Sequence, residues 1–236
     1  MDEGTDDDDL TISRTPSLTQ LVAEKIADAI ARGQFPAGAR LVETDLAARF
    51  KVSRGPIREA LKLVAGDGLV QMTAGRGTFV IQPSAQDLEH MILVRALLEG
   101  CAARLFVLGS HADALQRLRA IVAEMHGATE RQDVDVFREL HWRFHETVCG
   151  SADNGFLLRA WAALRSTYRV FVRLHLGSRA DMASVLGTHA QLLAALQGAD
   201  AGAAEAAERC FRSLIIRGGY AILGREVPAG LRSYLA

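Results

Sequence analysis

The sequence predicts a mainly α chain in two parts, an N-terminal winged helix-turn-helix and then an all-α helical bundle. Two stretches carry that expectation. Val52 to Val70 reads as one helix with a packing face and a basic face, and it runs into a short two-stranded hairpin. From Ala85 to about residue 223 the pattern is helical, interrupted only by short runs rich in Gly, Ser, Ala and Asp. With 236 residues, 49% apolar and 23% charged, the chain has the length for two domains and the composition of a globular protein.

Met1 to Leu10 holds six acidic residues, consecutive at Asp6 to Asp9, and no base. Like charges repel and nothing apolar offsets the ordering entropy, so residues 1–14 are expected to be a disordered acidic tail. The winged domain is expected over residues 15–82. Its first helix spans Pro16 to Arg32, with Leu18, Leu21, Val22, Ile26, Ala29 and Ile30 at helical spacing and Gly33 placed to end it. A turn at Phe35 to Gly38 and the apolar Leu41 lead to a second helix, Glu43 to Phe50. Leu46 and Phe50 face inward there, and Glu43 and Asp45 suit the dipole at its start. The third helix takes Ser53 as N-cap and Pro56 in its first turn. Ile57, Ala60, Leu61 and Val64 form its apolar stripe, while Arg54, Arg58 and Lys62 step by four along another side. Gly66 and Gly68 end it. Leu69, Val70 and Met72, then Thr78 to Ile81, make the hairpin around the turn Ala74-Gly75-Arg76-Gly77.

Ile81-Gln82-Pro83-Ser84 is the linker: Pro83 stops the strand and Ser84 can cap the next helix. The bundle is expected over residues 83–224. Its helices fall at roughly 85–108, 111–129, 133–150, 154–176, 180–197 and 200–223. Gly109-Ser110, Cys149 to Asp153, Gly177-Ser178 and Gly198 to Asp200 supply the breaks. Residues 225–236 read as a C-terminal tail packed only in part.

The net charge of -1 conceals an asymmetry. Thr11 to Gln82 carries ten Lys or Arg against six Asp or Glu, whereas Pro83 to Ala236 is nearly balanced at seventeen against sixteen. The positive excess lies where a helix could enter a major groove and the Arg76 wing tip could reach phosphates.

In the bundle, Phe137, His141, His145 and Cys149 are four apart, beside the row Leu140, Phe144 and Val148. His141 and His145 therefore project from one face a turn apart, near enough to grip one metal through two imidazoles. His189, in phase with Leu192, Leu193 and Leu196, also points inward. The spacing predicts a metal on His141, His145 and His189, with three partner-bonded core histidines as the alternative. His90, His111, His126 and His175 show no such arrangement and are read as surface or structural.

Leu46 to Leu61 (LAARFKVSRGPIREAL), Asp67-Gly68-Leu69-Val70 and Arg76-Gly77-Thr78-Phe79-Val80 resemble the DNA-binding domain of GntR-family bacterial transcription regulators, over most of Leu18 to Ile81. The resemblance implies a DNA-binding set of Thr44, Ser53, Arg54, Gly55, Arg58, Gly75 and Arg76. Gly55 departs from the family, where Thr is more usual. Arg95-Ala96-Leu97-Leu98-Glu99, His141-Trp142-Arg143-Phe144-His145, Asn154, and His189 ahead of Gly198-Ala199-Asp200 resemble the FCD-type effector domain of the FadR-like branch. The two resemblances together imply a homodimeric repressor that reads an inverted repeat in double-stranded operator DNA and responds to a small-molecule effector, a carboxylate metabolite. Arg95 stands where an Arg often anchors an acidic effector, and an ion pair with Glu99 at i+4 is the other reading. Metal-binding members carry Asp-x-x-x-His and two later histidines. Here His141 stands in the Asp slot, His145 and His189 match, and Phe211 occupies the last histidine's slot. Three imidazoles can still hold zinc or nickel, more weakly, and Cys149 is a candidate substitute ligand.

A metal-dependent hydrolase on the three histidines is the alternative activity, but the zincin motif needs Glu after the first His and Trp142 stands there. No nucleophile elbow, phosphate-binding glycine loop or dinucleotide fingerprint occurs, so no enzyme is expected. Cys101, Cys149 and Cys210 are odd in number and far apart, which suits a reducing compartment and no disulfide framework. No apolar run approaches the roughly 18 residues of a membrane span, and the acidic N-terminus is unlike a signal peptide. The expected location is the cytoplasm, with no membrane partner.

Overall fold

A computed structural model describes residues 16–109, 111–175 and 179–235. The acidic tail, Ser110 and the Gly177-Ser178 break lie outside the described residues. The head comprises α1 (Leu18–Ala31), β1 (Arg40–Leu41), α2 (Glu43–Phe50), α3 (Arg54–Gly66), β2 (Val70–Thr73) and β3 (Gly77–Val80). The bundle comprises α4 (Ala85–Leu108), α5 (Ala112–Arg131), α6 (Val134–Gly150), α7 (Gly155–His175), α8 (Arg179–Ala195) and α9 (Ala201–Ile222), followed by a 3₁₀ helix, Ala229–Leu235. Among the described residues no helix is long and apolar enough to cross a membrane.

The helix ends follow local chemistry. Ser17 and Gln20 close a capping box on α1, and Ser84 and Asp87 close another on α4. Asp133, Asn154 and Asp200 accept from backbone amides in the first turns of α6, α7 and α9. Ser53 has the extended backbone of an N-cap, yet its side chain makes no cap hydrogen bond. One of the two amides such a cap can accept from is missing: the N3 position of α3 is Pro56, which has no N–H to donate.

Ile57, Ala60, Leu61 and Val64 of α3 are fully buried against α1 and the strands, as their spacing demands. The sheet has three strands, ordered β1-β3-β2, all pairs antiparallel. The added strand β1 is only two residues, pairing Arg40 with Phe79 and Leu41 with Thr78, too short to leave an alternating pattern in the sequence. Positive φ at Gly75 (71°) and Gly77 (109°) forms the wing tip.

The bundle core runs from Leu88 on α4 to Tyr220 on α9. Its closest helix pair, α4 and α9, meets at small residues: a Cβ at Gly219 would lie 2.7 Å from Ile92 Cδ1. Val227, Leu231 and Tyr234 of the C-terminal segment, partly buried, pack against this core.

Candidate nucleic-acid interface and metal centre

The N-termini of α2 and α3 and the wing enclose a groove of about 280 Å³, lined by Arg40, Glu43, Thr44, Arg54, Arg58 and Thr78, among others. Arg54 and Arg58 are more than half exposed, at 60% and 54% of their side-chain surface. Thr44, Ser53, Gly55, Gly75 and Arg76 are exposed as well, so the whole expected set faces outward. Gly55 has nothing within 4 Å of the place a Cβ would take, so its lack of a side chain is not forced by packing.

Glu43 joins the two basic side chains of α3. Its Oε2 lies 3.1 Å from Arg58 Nη2 and 3.5 Å from Arg54 Nη2, and Oε1 accepts from Arg58 Nε at 3.3 Å. The hydrogen bonds from Arg58 hold the Glu43 carboxyl below its ordinary range against a small opposing effect of burial. From sequence Glu43 was legible only as a dipole-matching acid, and Arg40 not at all. A contact spanning fifteen residues across two helices leaves no periodic trace.

In the bundle, α6 and α8 bring His141, His145 and His189 into one buried cluster with ligating nitrogens within 4.8 Å of one another. Ring centroids are 4.9 Å apart for His141 and His145, 4.8 Å for His141 and His189, and 5.0 Å for His145 and His189. Of the outer nitrogens, those of His189 and His141 are hydrogen-bonded, while that of His145 has only a close carboxylate contact. His189 Nδ1 donates to Val185 O at 2.8 Å, His141 Nε2 meets the Tyr168 hydroxyl, and His145 Nδ1 lies 2.7 Å from Glu99 Oε2 in a contact bent from linear geometry. The other three nitrogens, His141 Nδ1, His145 Nε2 and His189 Nε2, are buried with no hydrogen-bond partner among the described residues. Orphaned buried nitrogens cost free energy, and three of them in one place fit a cation. A metal about 2.1 Å from each would draw the nitrogens to about 3.4 Å apart, a modest contraction.

Burial is the main force holding all three imidazoles neutral. It pushes His189 down to about 4, and it drives His141 and His145 well below the ordinary value with help from neighbouring imidazoles and Arg95. Neutral imidazole is the metal-binding form. Cys149 falls outside the cluster, and its buried thiol is pushed up, hence protonated. Phe211 is fully buried on α9 and brings no ligand atom.

Glu99, named from the sequence only as a partner for Arg95, is wholly buried and is the polar hub beneath the cluster. It accepts from Arg95 Nε at 2.6 Å, from Arg95 Nη2 at 3.3 Å and from Trp161 Nε1 at 2.8 Å. The i+4 ion pair is formed, and the guanidinium also lies 3.8 Å from the centroid of the Tyr168 ring, at the edge of the histidine cluster. Trp142, where a zincin would place its Glu, stacks on Trp161 with centroids 4.5 Å apart. A cleft of about 820 Å³ between α1 and the α6 and α7 pair reaches this region. Asp28 and Arg32 line it on one side, and Glu139, His141, Tyr168 and Arg169 on the other.

Residues 18–80 match the family model described as bacterial regulatory proteins, gntR family, and residues 90–213 match the FCD domain. The chain is 36% identical over 153 residues to the "Probable D-xylose utilization operon transcriptional repressor" of Paenarthrobacter nicotinovorans, covering 65% of this chain and 67% of that protein. It is 27% identical over 184 residues to the gluconate operon transcriptional repressor of Bacillus subtilis, covering 76% and 75%. Among solved structures, a transcriptional regulator GntR from Rhodococcus sp. RHA1 superimposes with a TM-score of 0.76 at 25% identity, over 90% of this chain and all of that one.

Proposed function

The chain belongs to the gntR family of bacterial regulatory proteins, its winged head followed by an FCD domain, and from that premise we propose an effector-controlled operator repressor. It is a DNA-binding transcription regulator and not an enzyme. The observation that carries the DNA reading is the groove at the tip of the head, where Arg40, Arg54 and Arg58 converge from β1 and α3 beside the wing. In the proposed complex α3 enters the major groove with Arg54 and Arg58 toward base edges and phosphates, and Arg76 reaches the backbone or minor groove from the wing. Ser53, whose hydroxyl is not spent on capping, and Thr44 stand beside them. The acting species is a homodimer in the cytoplasm, and its two-fold symmetry is matched by an inverted repeat.

The effector site we place in the bundle, with His141, His145 and His189 holding a zinc or nickel ion. Such an ion would act as a Lewis acid with open positions for an oxygen ligand. Charge accounting favours an anion there. The three imidazoles are neutral and Glu99 is offset by Arg95, so a divalent cation arrives in a dry core uncompensated. A small carboxylate supplies the missing charge, with the Arg95 field beside it, and a sugar acid fits the company of a gluconate operon repressor among the relatives. Binding such a ligand better in one arrangement of head and bundle than in the other would release the operator.

The test is selection of duplexes from a random pool, followed by fluorescence anisotropy with wild type, Arg54→Ala and Arg58→Ala. An inverted repeat is expected, and undiminished specific binding by both variants overturns the DNA reading. Elemental analysis of protein purified without chelator should find about one metal per chain, lost in His145→Ala. Metal-free wild type would remove the metal and leave the DNA reading standing.

A further inference from the structure

Glu99 lies on α4, while the histidines lie on α6 and α8. An i+4 pair with Arg95, which donates to both oxygens, needs only one helix. It does not explain why Oε2 lies 2.7 Å from His145 Nδ1 on a different helix, nor why Trp161 on α7 spends its indole N–H on Oε1 at 2.8 Å. A fully buried carboxylate is costly, and a well-packed apolar pair would serve stability as well. The arrangement has a consequence for His145. A carboxylate 2.7 Å from Nδ1, though too bent here to make a formed hydrogen bond, favours the tautomer protonated there, which leaves bare the lone pair of Nε2, a buried nitrogen with no partner of its own.

We infer that Glu99 is a positioning residue of the metal centre: Arg95 and Trp161 clamp its carboxylate so that it holds His145 with Nε2 turned toward the cation. This rests on the reading of the three histidines as a metal centre. Glu99 touches no metal itself. It orients the imidazole and raises its basicity through the Nδ1 proton, as carboxylates behind metal-bound histidines do. The bent Glu99 contact predicts that the His145 ring swings toward linear geometry when the nitrogens contract around an ion.

The experiment uses the full chain loaded with Co(II) alone, read by its visible absorption, with affinity from competition against a chromophoric chelator. Glu99→Gln, checked for folding by circular dichroism, should keep the Co(II) stoichiometry, bind about 10- to 100-fold more weakly and show a shifted band pattern. Glu99→Asp should recover part of the affinity. Equal affinity and an unchanged spectrum in Glu99→Gln overturn the inference. A wild type that takes up no Co(II) instead overturns the metal reading beneath it. Should Glu99→Gln not fold, the tautomer decides: ¹⁵N-histidine correlation spectra of the wild-type zinc form should show His145 protonated at Nδ1 and ligating through Nε2. The opposite tautomer refutes the role of Glu99.

Discussion

The head and the bundle use polar side chains in opposite ways. In the head the candidate residues are exposed and the core beneath them is almost wholly apolar: Arg54 and Arg58 stand in solvent while Ile57 and Leu61, on the same helix, are fully buried. In the bundle the candidate residues are part of the core. Arg95, Glu99, His141, His145 and His189 are all buried, and each polar atom must find a partner inside. The contrast teaches where a change will be felt. A substitution in the head's site should alter binding and leave the fold alone, whereas one in the bundle's site alters both together.

Acid should expose that contrast most strongly. His189 titrates near 4 when folded against 6.5 when unfolded, so below about pH 6.5 the unfolded chain binds the proton first. Its contribution to stability is therefore complete above that pH and lost as the pH falls toward 4, on the order of 3 kcal/mol from His189 alone, with His141 and His145 acting in the same direction. Both tryptophans, Trp142 and Trp161, lie beside the cluster, and His90 is the first histidine in the chain, so tryptophan fluorescence reports the affected half. Chelator-treated protein unfolded by urea at pH 7 and at pH 5 should show the lower midpoint at pH 5. An unmoved midpoint would mean the three imidazoles are not buried neutral.

Arg58→Ala tests the other side of the comparison. Loss of one good base or phosphate contact should weaken specific operator binding by about 1–3 kcal/mol while Tm stays within a degree or so of wild type. A large drop in Tm would mean that the Glu43 to Arg58 contact, 3.1 Å across two helices, holds the head together after all. Ser84→Ala has the smallest expected effect. It removes the cap between the two halves and should cost about 1 kcal/mol of stability by denaturant titration, with operator affinity at saturating protein unchanged.

Legibility divided along the same line. The three head helices, the six bundle helices and the cap at Ser84 could be read from the sequence, because apolar spacing and the Gly, Ser and Asp runs between helices are local signals. The strand β1 escaped because two residues carry no period, and one amide that the Ser53 cap could accept from is missing because Pro56 lacks the proton. At the histidine cluster, His141 and His145 were legible as an i+4 pair and His189 as an inward position. Glu99 was visible only as an i+4 partner, since its second oxygen answers to His145 and its first also to Trp161, 62 residues away. Tyr168 left no signal at all: nothing in its own helix tells that its hydroxyl ends at His141.

The capping box at Ser84 fixes where α4 begins, and α4 is a rigid rod of 24 residues with Glu99 near its middle. Between that rod and the last strand of the head only Ile81 to Ser84 intervene, and the Ile81 amide is still bonded to Leu69 O. From Glu99 to the capped end is about 21 Å at about 1.5 Å per residue. A tilt of about 5° pivoting at the histidine-bearing core therefore sweeps the capped end through about 2 Å. Under the proposed reading of the head, α4 would act as a lever with its fulcrum at the bundle's polar hub, and about 2 Å at its tip would separate an arginine that reaches a base edge from one that falls short of it.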